Sequence, residues 1–281
     1  MRSRTGRELA ERALARLALE LGDRVTSLTV IGGLNADLLT LPQEAAHQGT
    51  VDIDVLVEIG FVFDREEQDL GWVERGLVRA SFSPLSDEGW RWETRVETAA
   101  VVVDLLCDVP DNHGREIPLP GRPRAGAMNL AGPGAGLMNG VVRTLTSEDG
   151  RLVDVRFAGL GGYLLAKASA VHHRGADKDL YDLGFVIIHN LEGGPIPAAR
   201  AAHQALSPHQ FVDHPRTFLA SLRLLSAEER GARVYAEQRI RDGEDQDVET
   251  LVQDVVGAAL ACGAEFGRLI THSDDATGHH A

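Results

Sequence analysis

The chain has 281 residues, of which 43% are hydrophobic and 25% charged, and its formal net charge is −14. This length can bury a sizeable core, and the acidity argues against a protein that coats nucleic acid non-specifically, because that needs a basic surface. With only Cys107 and Cys262 there is no disulfide framework, and no apolar run reaches the roughly 18 residues of a membrane span. We therefore expect a cytoplasmic protein with no membrane association.

The first half of the chain alternates between helical and strand patterns. Apolar residues at helical spacing predict the first helix, and strict alternation in VDIDVLVEI predicts a strand. The strand pair that follows is joined near Glu97-Thr98. In chain order the predicted elements are helix 1–21, strand 27–31, helix 34–41, strand 51–59, helix 64–80, strand 90–96, strand 99–109 and strand 152–157.

Pro and Gly recur through residues 110–150, which predicts a long loop without strand or helix. With Arg122 and Arg124, this segment is either an ordinary insertion, which is favoured, or a lid near a bound triphosphate or a contact for an acceptor RNA. From residue 160 the pattern becomes helical, and the predicted helices are 160–173, 177–190, 208–225, 227–241 and 246–270.

These elements predict an α/β (α+β) fold with two parts. Residues 1–158 would form a mixed β-sheet flanked by helices, with 110–150 as an insertion. Residues 159–270 would form a helical domain, and the polar residues 271–281 a disordered tail.

Three aspartates lie in strands that are otherwise apolar. Asp52 and Asp54 point to the same face of one strand, about 7 Å apart. Asp104 stands alone in VVVDLL, where an unpaired charge is costly to bury. Like charges this close raise each other's pKa unless a cation lies between them, and Mg²⁺ with oxygen ligands meets that need. The alternative for Asp52 and Asp54 is the solvated face of an edge strand.

A glycine pair and two lysines indicate phosphate binding. Gly32-Gly33 follows the strand 27–31 at a turn into a helix, where backbone N–H groups can approach a phosphate. Of the 28 basic residues only Lys167 and Lys178 are lysines, and both fall in one short segment. A compact ammonium binds a single phosphate oxygen in a way that arginine does not reproduce. The alternative for this segment is a surface ladder of salt bridges.

The order of glycine pair, Asp-x-Asp strand and later single-Asp strand resembles the polymerase-β-like nucleotidyltransferase superfamily. Within it the chain is most similar to the AbiEii-type nucleotidyltransferase toxins of type IV toxin–antitoxin systems, because GYLLAKASAVHHRGADKDLYDLGFVI resembles their paired motifs. This resemblance covers about residues 25–190 and implies a nucleotidyltransferase-like sheet. It also implies transfer of a nucleoside monophosphate from an NTP to a hydroxyl, in several members the 3′ end of tRNA, with Mg²⁺ as cofactor and a cognate antitoxin as partner.

The resemblance assigns a role to each matching residue. The implied metal ligands are Asp52, Asp54 and Asp104. The implied nucleotide-binding residues are Gly32, Gly33, Asn35, Lys167, Arg174, Asp179 and Asp182. Asp104 would be the third carboxylate or the general base, and Lys167 would contact triphosphate oxygens as a catalytic cation. Asp179 or Asp182 would orient the base, the ribose or neighbouring basic groups.

Two departures from the family pattern keep other functions open. Leu34 and Asn35 follow the glycines where the family often has Ser or Thr, and Gln48-Gly49-Thr50 stands where a basic residue is common. One alternative is a nucleotidyltransferase that modifies a cationic antibiotic, which the acidic surface favours. Another is a catalytically silent nucleotide-binding or interaction module.

Overall fold

The structure is a computed structural model that describes residues 4–41, 52–59, 68–87, 89–121, 124–207, 212–227 and 229–277. Its helices are α1 (Arg4–Leu21), α2 (Gly33–Ala36), α3 (Gly71–Arg79), α4 (Leu160–Arg174), α5 (Asp177–His189), α6 (Pro195–Gln204), α7 (His214–Ser226), α8 (Glu229–Arg241) and α9 (Val248–Thr277). Its strands are β1 (Leu28–Ile31), β2 (Asp52–Val57), β3 (Ser83–Pro84), β4 (Arg91–Val96), β5 (Ala99–Cys107), β6 (Glu116–Pro118), β7 (Gly126–Asn129), β8 (Val141–Thr146) and β9 (Leu152–Phe157).

The strands form one mixed sheet, in the order β3-β4-β5-β2-β1-β9-β8. β7 pairs with β5 on the same edge as β4, further along the strand, and β6 pairs with β7. β2 and β5 are parallel, whereas β1 and β2 are antiparallel. The predicted α/β fold, a mixed sheet with helices followed by a helical region, is therefore confirmed.

Alternation along the strands directs the two faces of the sheet to different cores. Val55 on β2 and Val103 on β5 pack in a cluster that includes α1 and α3. Leu56 and Leu106 point the other way and pack in a cluster with the helices α4–α9. Because Asp52, Asp54 and Asp104 share the face of Leu56 and Leu106, the carboxylates lie between the sheet and the helical half.

Residues 110–150 contain more regular structure than the density of Pro and Gly predicts. β6, β7 and β8 all lie in this range, so the prediction of a loop without strands is wrong. Pro118 ends its short strand, where a missing N–H is tolerated. Asn129 holds β7 in place, since it accepts the Val109 N–H at 2.9 Å and donates to the Val109 carbonyl at 3.1 Å. The glycines and prolines of this range thus stand between the strands or at their ends and do not prevent strand formation.

Several helix predictions differ from the structure, and α3 begins at Gly71 and α7 at His214, both later than predicted. α2 is a single turn rather than a helix over 34–41, which limits the dipole that it offers to a phosphate. α6 is missing from the sequence prediction because Gly193-Gly194-Pro195 resembles a loop, whereas the proline opens a helix. α9 continues to Thr277, so the predicted disordered tail is helical in its first part. Residues 42–51, 122–123 and 278–281, with the departure at Gln48-Gly49-Thr50, lie outside the described residues.

None of the helices in the described part of the chain combines the length and the apolarity that a membrane crossing requires.

Candidate functional site

Strand register brings the predicted carboxylates together. Asp54 on β2 lies directly beside Asp104 on β5. Ile31 on β1 pairs with Asp54 from one side, and Arg91 on β4 pairs with Asp104 from the other. Asp52, two residues before Asp54, faces the same side of the sheet. A single row across four strands therefore carries the centre of the site.

The glycine turn touches this row. Gly32 follows Ile31 at the end of β1 with a φ of +79°, which favours glycine. A Cβ atom at this position would overlap the Asp54 carboxylate. The turn that is predicted to approach a phosphate thus lies against a predicted metal ligand.

Replacing Gly32 by alanine tests this contact. We expect Gly32→Ala to displace the Asp54 carboxylate and to weaken Mn²⁺ binding by at least about tenfold, because supporting contacts to ligand groups are worth that much. Gly150→Ala is the matched control, since its φ is +81° and nothing lies within 4 Å of an added Cβ. A side chain at a positive φ should cost Gly150→Ala about 1–2 kcal/mol. Gly32→Ala should lose more, because its φ of +79° and ψ of −155° lie in a region that almost only glycine occupies and its Cβ meets Asp54. Urea denaturation measures both losses. Equal Mn²⁺ affinity in the two would contradict the contact.

The environment of the carboxylates opposes full ionisation. Burial, and next the negative charge of Asp104, raise the pKa of Asp54 to about 6. The positive charges of Lys167, Lys178 and Arg174 act in the opposite direction and lower this pKa. Burial also raises the pKa of Asp104, against the stabilising hydrogen bond from Arg91. Burial and the closeness of the two carboxylates therefore both disfavour the charged forms, and a divalent cation between them would relieve both effects.

Arg91 is the present charge partner of Asp104. Its Nε donates to Asp104 Oδ1 at 2.9 Å and its Nη2 to Oδ2 at 3.2 Å, and its guanidinium lies 4.9 Å from the centre of the Trp90 ring. This bond, followed by the charges of the nearby aspartates, raises the pKa of Arg91. The side chain is 42% exposed, so it can leave without unfolding the strand.

Removing Arg91 should strengthen metal binding. Because the guanidinium and a divalent cation compete for Asp104, we expect Arg91→Gln to tighten Mn²⁺ binding by about threefold to tenfold, the value of a partly exposed ion pair. Arg95→Gln, on the same strand but paired with Ala100, is the control. Titration followed by the electron spin resonance of free Mn²⁺ measures the difference. Weaker binding in Arg91→Gln would mean that Arg91 orients Asp104 for the metal instead.

Lys167 lies in a buried ion cluster. Its Nζ donates to Asp179 Oδ1 and to Asp182 Oδ2, each at 3.1 Å, and Arg174 Nη2 donates to Asp179 Oδ1 at 3.1 Å. Burial disfavours the charged form, but the attraction of Asp182 and Asp179 outweighs it and holds the pKa of Lys167 above its usual value. These four residues, the α4–α5 ion cluster, join the two helices. One of the roles predicted for Asp179 and Asp182 is to orient neighbouring basic groups, and these contacts agree with that role.

Asn35 does not reach the site. It is fully buried, and its Nδ2 donates to the carbonyl of Ala158 at 3.0 Å. It is not part of the cavity wall, so the structure gives it a role in joining the β1–α2 turn to the end of β9. The structure therefore does not bring Asn35 into the cavity with Gly32 and Gly33, the other residues of this turn to which the resemblance gives a nucleotide-binding role. The Arg124 side chain is not part of the cavity lining either, and its Nε donates to Glu74 at 3.1 Å.

The carboxylates open into a cavity of about 380 Å³. Gly32, Gly33, Lys167, Arg174 and Lys178 line it, together with Asp182. The cavity also has an apolar side that the sequence did not predict, which we call the β4–β7 wall and which consists of Trp90, Arg91, Leu106, Met128 and Leu130. Most of the residues predicted from dispersed motifs therefore share one cavity.

The residues fit a divalent cation, with one rearrangement. Among the described residues no three His, Cys, Asp or Glu side chains are spaced as a ready ligand set. Arg91 holds the carboxylate that would complete one. Asp52, Asp54 and Asp104 would hold Mg²⁺ once Arg91 releases Asp104, because hard oxygen ligands on two adjacent strands suit this ion.

Comparison with known proteins adds little to this geometry. No protein-family model matches the chain, and no curated protein matches it. A solved structure, the crystal structure of JHP933 from Helicobacter pylori, is similar at 14% identity and a TM-score of 0.45, over 99% of this chain and 100% of that one. A likeness at this level supports no inference about the site, so the function is inferred from the residues themselves.

Proposed function

We propose that the chain is a Mg²⁺-dependent nucleotidyltransferase that moves a nucleoside monophosphate from an NTP to a hydroxyl acceptor. The register of Asp54 against Asp104, with Asp52 on the same face, is the observation that carries this proposal. The glycine turn and the cations Arg174 and Lys178 on the same cavity supply the means to hold a triphosphate.

Each residue then has a chemical task. Bound Mg²⁺ would supply positive charge where the phosphate and the acceptor oxygen carry negative charge. Backbone N–H groups of the Gly32-Gly33 turn would bind the triphosphate, with Lys178 nearby. Asp104 would take the proton of the acceptor hydroxyl. The acceptor oxygen bonds to the α-phosphorus as the bond from that phosphorus to its bridging oxygen breaks, and pyrophosphate leaves.

The biological role in this proposal follows from the resemblance. It is that of an AbiEii-type toxin, acting in the cytoplasm on the 3′ end of tRNA and restrained by a cognate antitoxin. The segment with Lys167, Arg174, Asp179 and Asp182 supports it, because the motif residues lie in one cluster beside the cavity. Growth arrest on expression, relieved by a neighbouring gene product, tests this part separately from the chemistry.

Label transfer tests the chemistry. Protein incubated with Mg²⁺, total RNA and each NTP labelled at the α-phosphate is expected to label RNA, and Asp52→Ala is expected not to. Transfer to an aminoglycoside instead of RNA would favour the small-molecule alternative, which the net charge of −14 supports. If the folded protein labels neither acceptor class, the proposal is wrong and a silent binding module is favoured.

A further inference from the structure

A second depression of the surface lies on helix α3 and is lined mostly by arginine. Its volume is about 260 Å³, and its lining consists of Glu74, Arg75, Val78, Arg79 and Arg124. We call it the α3 depression. Arg75 and Arg79 are four residues apart on α3 and share one face of the helix, whereas Arg124 precedes β7. Guanidinium groups from two separate elements thus converge on one concave surface.

The charges of the α3 depression are not balanced by its own residues. Its single carboxylate, Glu74, is buried, and it accepts Arg124 Nε at 3.1 Å and the Ala125 N–H at 3.3 Å. Glu74 therefore neutralises Arg124 and fixes its position. Arg75 is partly exposed and Arg79 is exposed, and in the described part of the chain neither has an ion-pair partner. Like charges at this helical spacing repel each other, so an anion between them would stabilise the pair.

The α3 depression is separate from the carboxylate cavity. α3 packs in the core cluster of Val55 and Val103, on the face of the sheet opposite to Asp54 and Asp104. None of the described residues lines both the depression and the cavity. An anion bound at α3 would therefore not occupy the position of the triphosphate.

Charge and size restrict the anion that fits the α3 depression. Three guanidinium groups against one carboxylate leave two positive charges unbalanced in its lining. A phosphate group carries nearly two negative charges at neutral pH, and forked guanidinium donors match its oxygens. The chain as a whole has a net charge of −14 and would repel a long polyanion such as RNA. A compact phosphate anion meets only the basic depression.

We propose that the α3 depression is a second anion site, which binds a compact phosphate ion of the size of inorganic phosphate or pyrophosphate. Arg75 and Arg79 would donate to its oxygens from α3. Arg124, held by Glu74, would contact the anion from the opposite side. The inference does not depend on the proposed function, because it uses none of the residues of the carboxylate cavity.

Calorimetric titration of the full chain with pyrophosphate tests the site, at low ionic strength and without divalent cations. We expect binding that weakens as NaCl is added. Arg75→Gln and Arg79→Gln should each weaken it by about tenfold, the usual value of a hydrogen bond to a charged group. Glu74→Gln should tighten it by about threefold, because one negative charge beside the anion disappears. This gain in affinity cannot result from unfolding.

Three controls separate the α3 depression from other binding sites. Arg95→Gln, an exposed arginine that lines neither the depression nor the cavity, should bind pyrophosphate like the natural chain. Lys178→Met, which removes a cation from the carboxylate cavity, should do the same. An RNA octamer with hydroxyl ends should bind more weakly than pyrophosphate.

Three results would overturn the inference and leave the proposed function untouched. The first is a natural chain that does not bind pyrophosphate under these conditions. The second is binding that persists unchanged in both Arg75→Gln and Arg79→Gln, or that is lost in Lys178→Met, because the anion then lies elsewhere. The third is an RNA octamer that binds more tightly than pyrophosphate and loses this affinity in Arg79→Gln, because the surface then takes an extended polyanion.

Discussion

Replacement of Asp54 by asparagine is expected to abolish nucleotide transfer and, at the same time, to make the metal-free protein more stable. Transfer should fall by at least about a hundredfold, because a metal ligand is lost. The gain in stability follows from the position of Asp54 beside Asp104 and against Gly32. An amide of the same shape carries no charge to repel the neighbouring carboxylate.

The sign and the pH range of this gain follow from the pKa of Asp54. Its value of about 6 in the folded protein lies above the usual 3.8, because burial and Asp104 disfavour the charged form. The folded state therefore binds this proton more tightly than the unfolded state does. The resulting contribution to the stability of the folded protein is complete below about pH 4 and is lost as the pH rises through about 6. At pH 8 the ionised group costs about 2 kcal/mol, allowing for its partial exposure.

Denaturation in urea at pH 8 and at pH 4 measures the effect. Asp54→Asn should be more stable than the natural chain at pH 8 and no more stable at pH 4. Mg²⁺ should stabilise the natural chain and leave Asp54→Asn unchanged. Glu58→Gln, an exposed residue at the end of the same strand, is the control and should change neither property. If Mg²⁺ does not stabilise the natural chain, this result contradicts the assignment of Asp54 as a metal ligand.

Replacement of Lys167 by methionine should destabilise the protein by about 3–5 kcal/mol, the usual cost of removing one partner from a buried ion pair. Lys167 is 6% exposed, and Asp179 and Asp182 are almost inaccessible. Without the ammonium, two buried carboxylates between α4 and α5 would lose the cation that they share, and Arg174, which contacts Asp179, is half exposed. The cluster holds these helices in position over the cavity.

Lys178 is the matched control, as the only other lysine of the chain. It is exposed and lines the cavity, so Lys178→Met should change stability by less than about 0.5 kcal/mol while weakening NTP binding. Adding Asp182→Asn to Lys167→Met should recover part of the lost stability, because one uncompensated charge disappears. If Lys167→Met is as stable as Lys178→Met and loses only NTP affinity, Lys167 contacts the triphosphate directly instead.

The carboxylate strands were predictable because both have unambiguous periodicity. VDIDVLVEI alternates and VVVDLL is continuously apolar, so the strands and the shared face of Asp52 and Asp54 follow from the pattern. The periodicity does not predict that Asp54 and Asp104 lie directly beside each other. Their neighbouring position depends on β2 and β5 being parallel partners, and those strands are separated by α3 and a hairpin.

Arg91 was missed although the sequence held the signal for it. In RWETRV charged residues alternate with uncharged ones, a pattern typical of a strand whose charged face is solvated. However, the predicted turn at Glu97-Thr98 fixes the hairpin register, because Val96 must then pair with Ala99. Counting back along both strands places Arg91 opposite Asp104, as the structure has it. Register counting from a tight turn would have found this pair.

The roles of Asn35 and Lys167 depend on tertiary contacts that no local pattern contains. Asn35 lies next to the glycine turn in sequence, but its side chain points to Ala158, which is 123 residues away. Lys167 meets two carboxylates only because α4 and α5 pack against each other. The strands of residues 110–150 were obscured for a similar reason, since pairing of β7 with β5, of β6 with β7 and of β8 with β9 outweighs the local density of glycine and proline.

Titration of Mn²⁺ in the presence and absence of an NTP is the most direct measurement of the proposed site. The natural chain is expected to bind Mn²⁺ more tightly with the NTP than without it, since carboxylates and phosphates share the ion. Asp54→Asn is expected to lose this binding, and Glu58→Gln to keep it. Binding of the NTP that is the same with and without the divalent cation, or Mn²⁺ binding that survives in Asp54→Asn, would contradict a metal site at Asp52, Asp54 and Asp104.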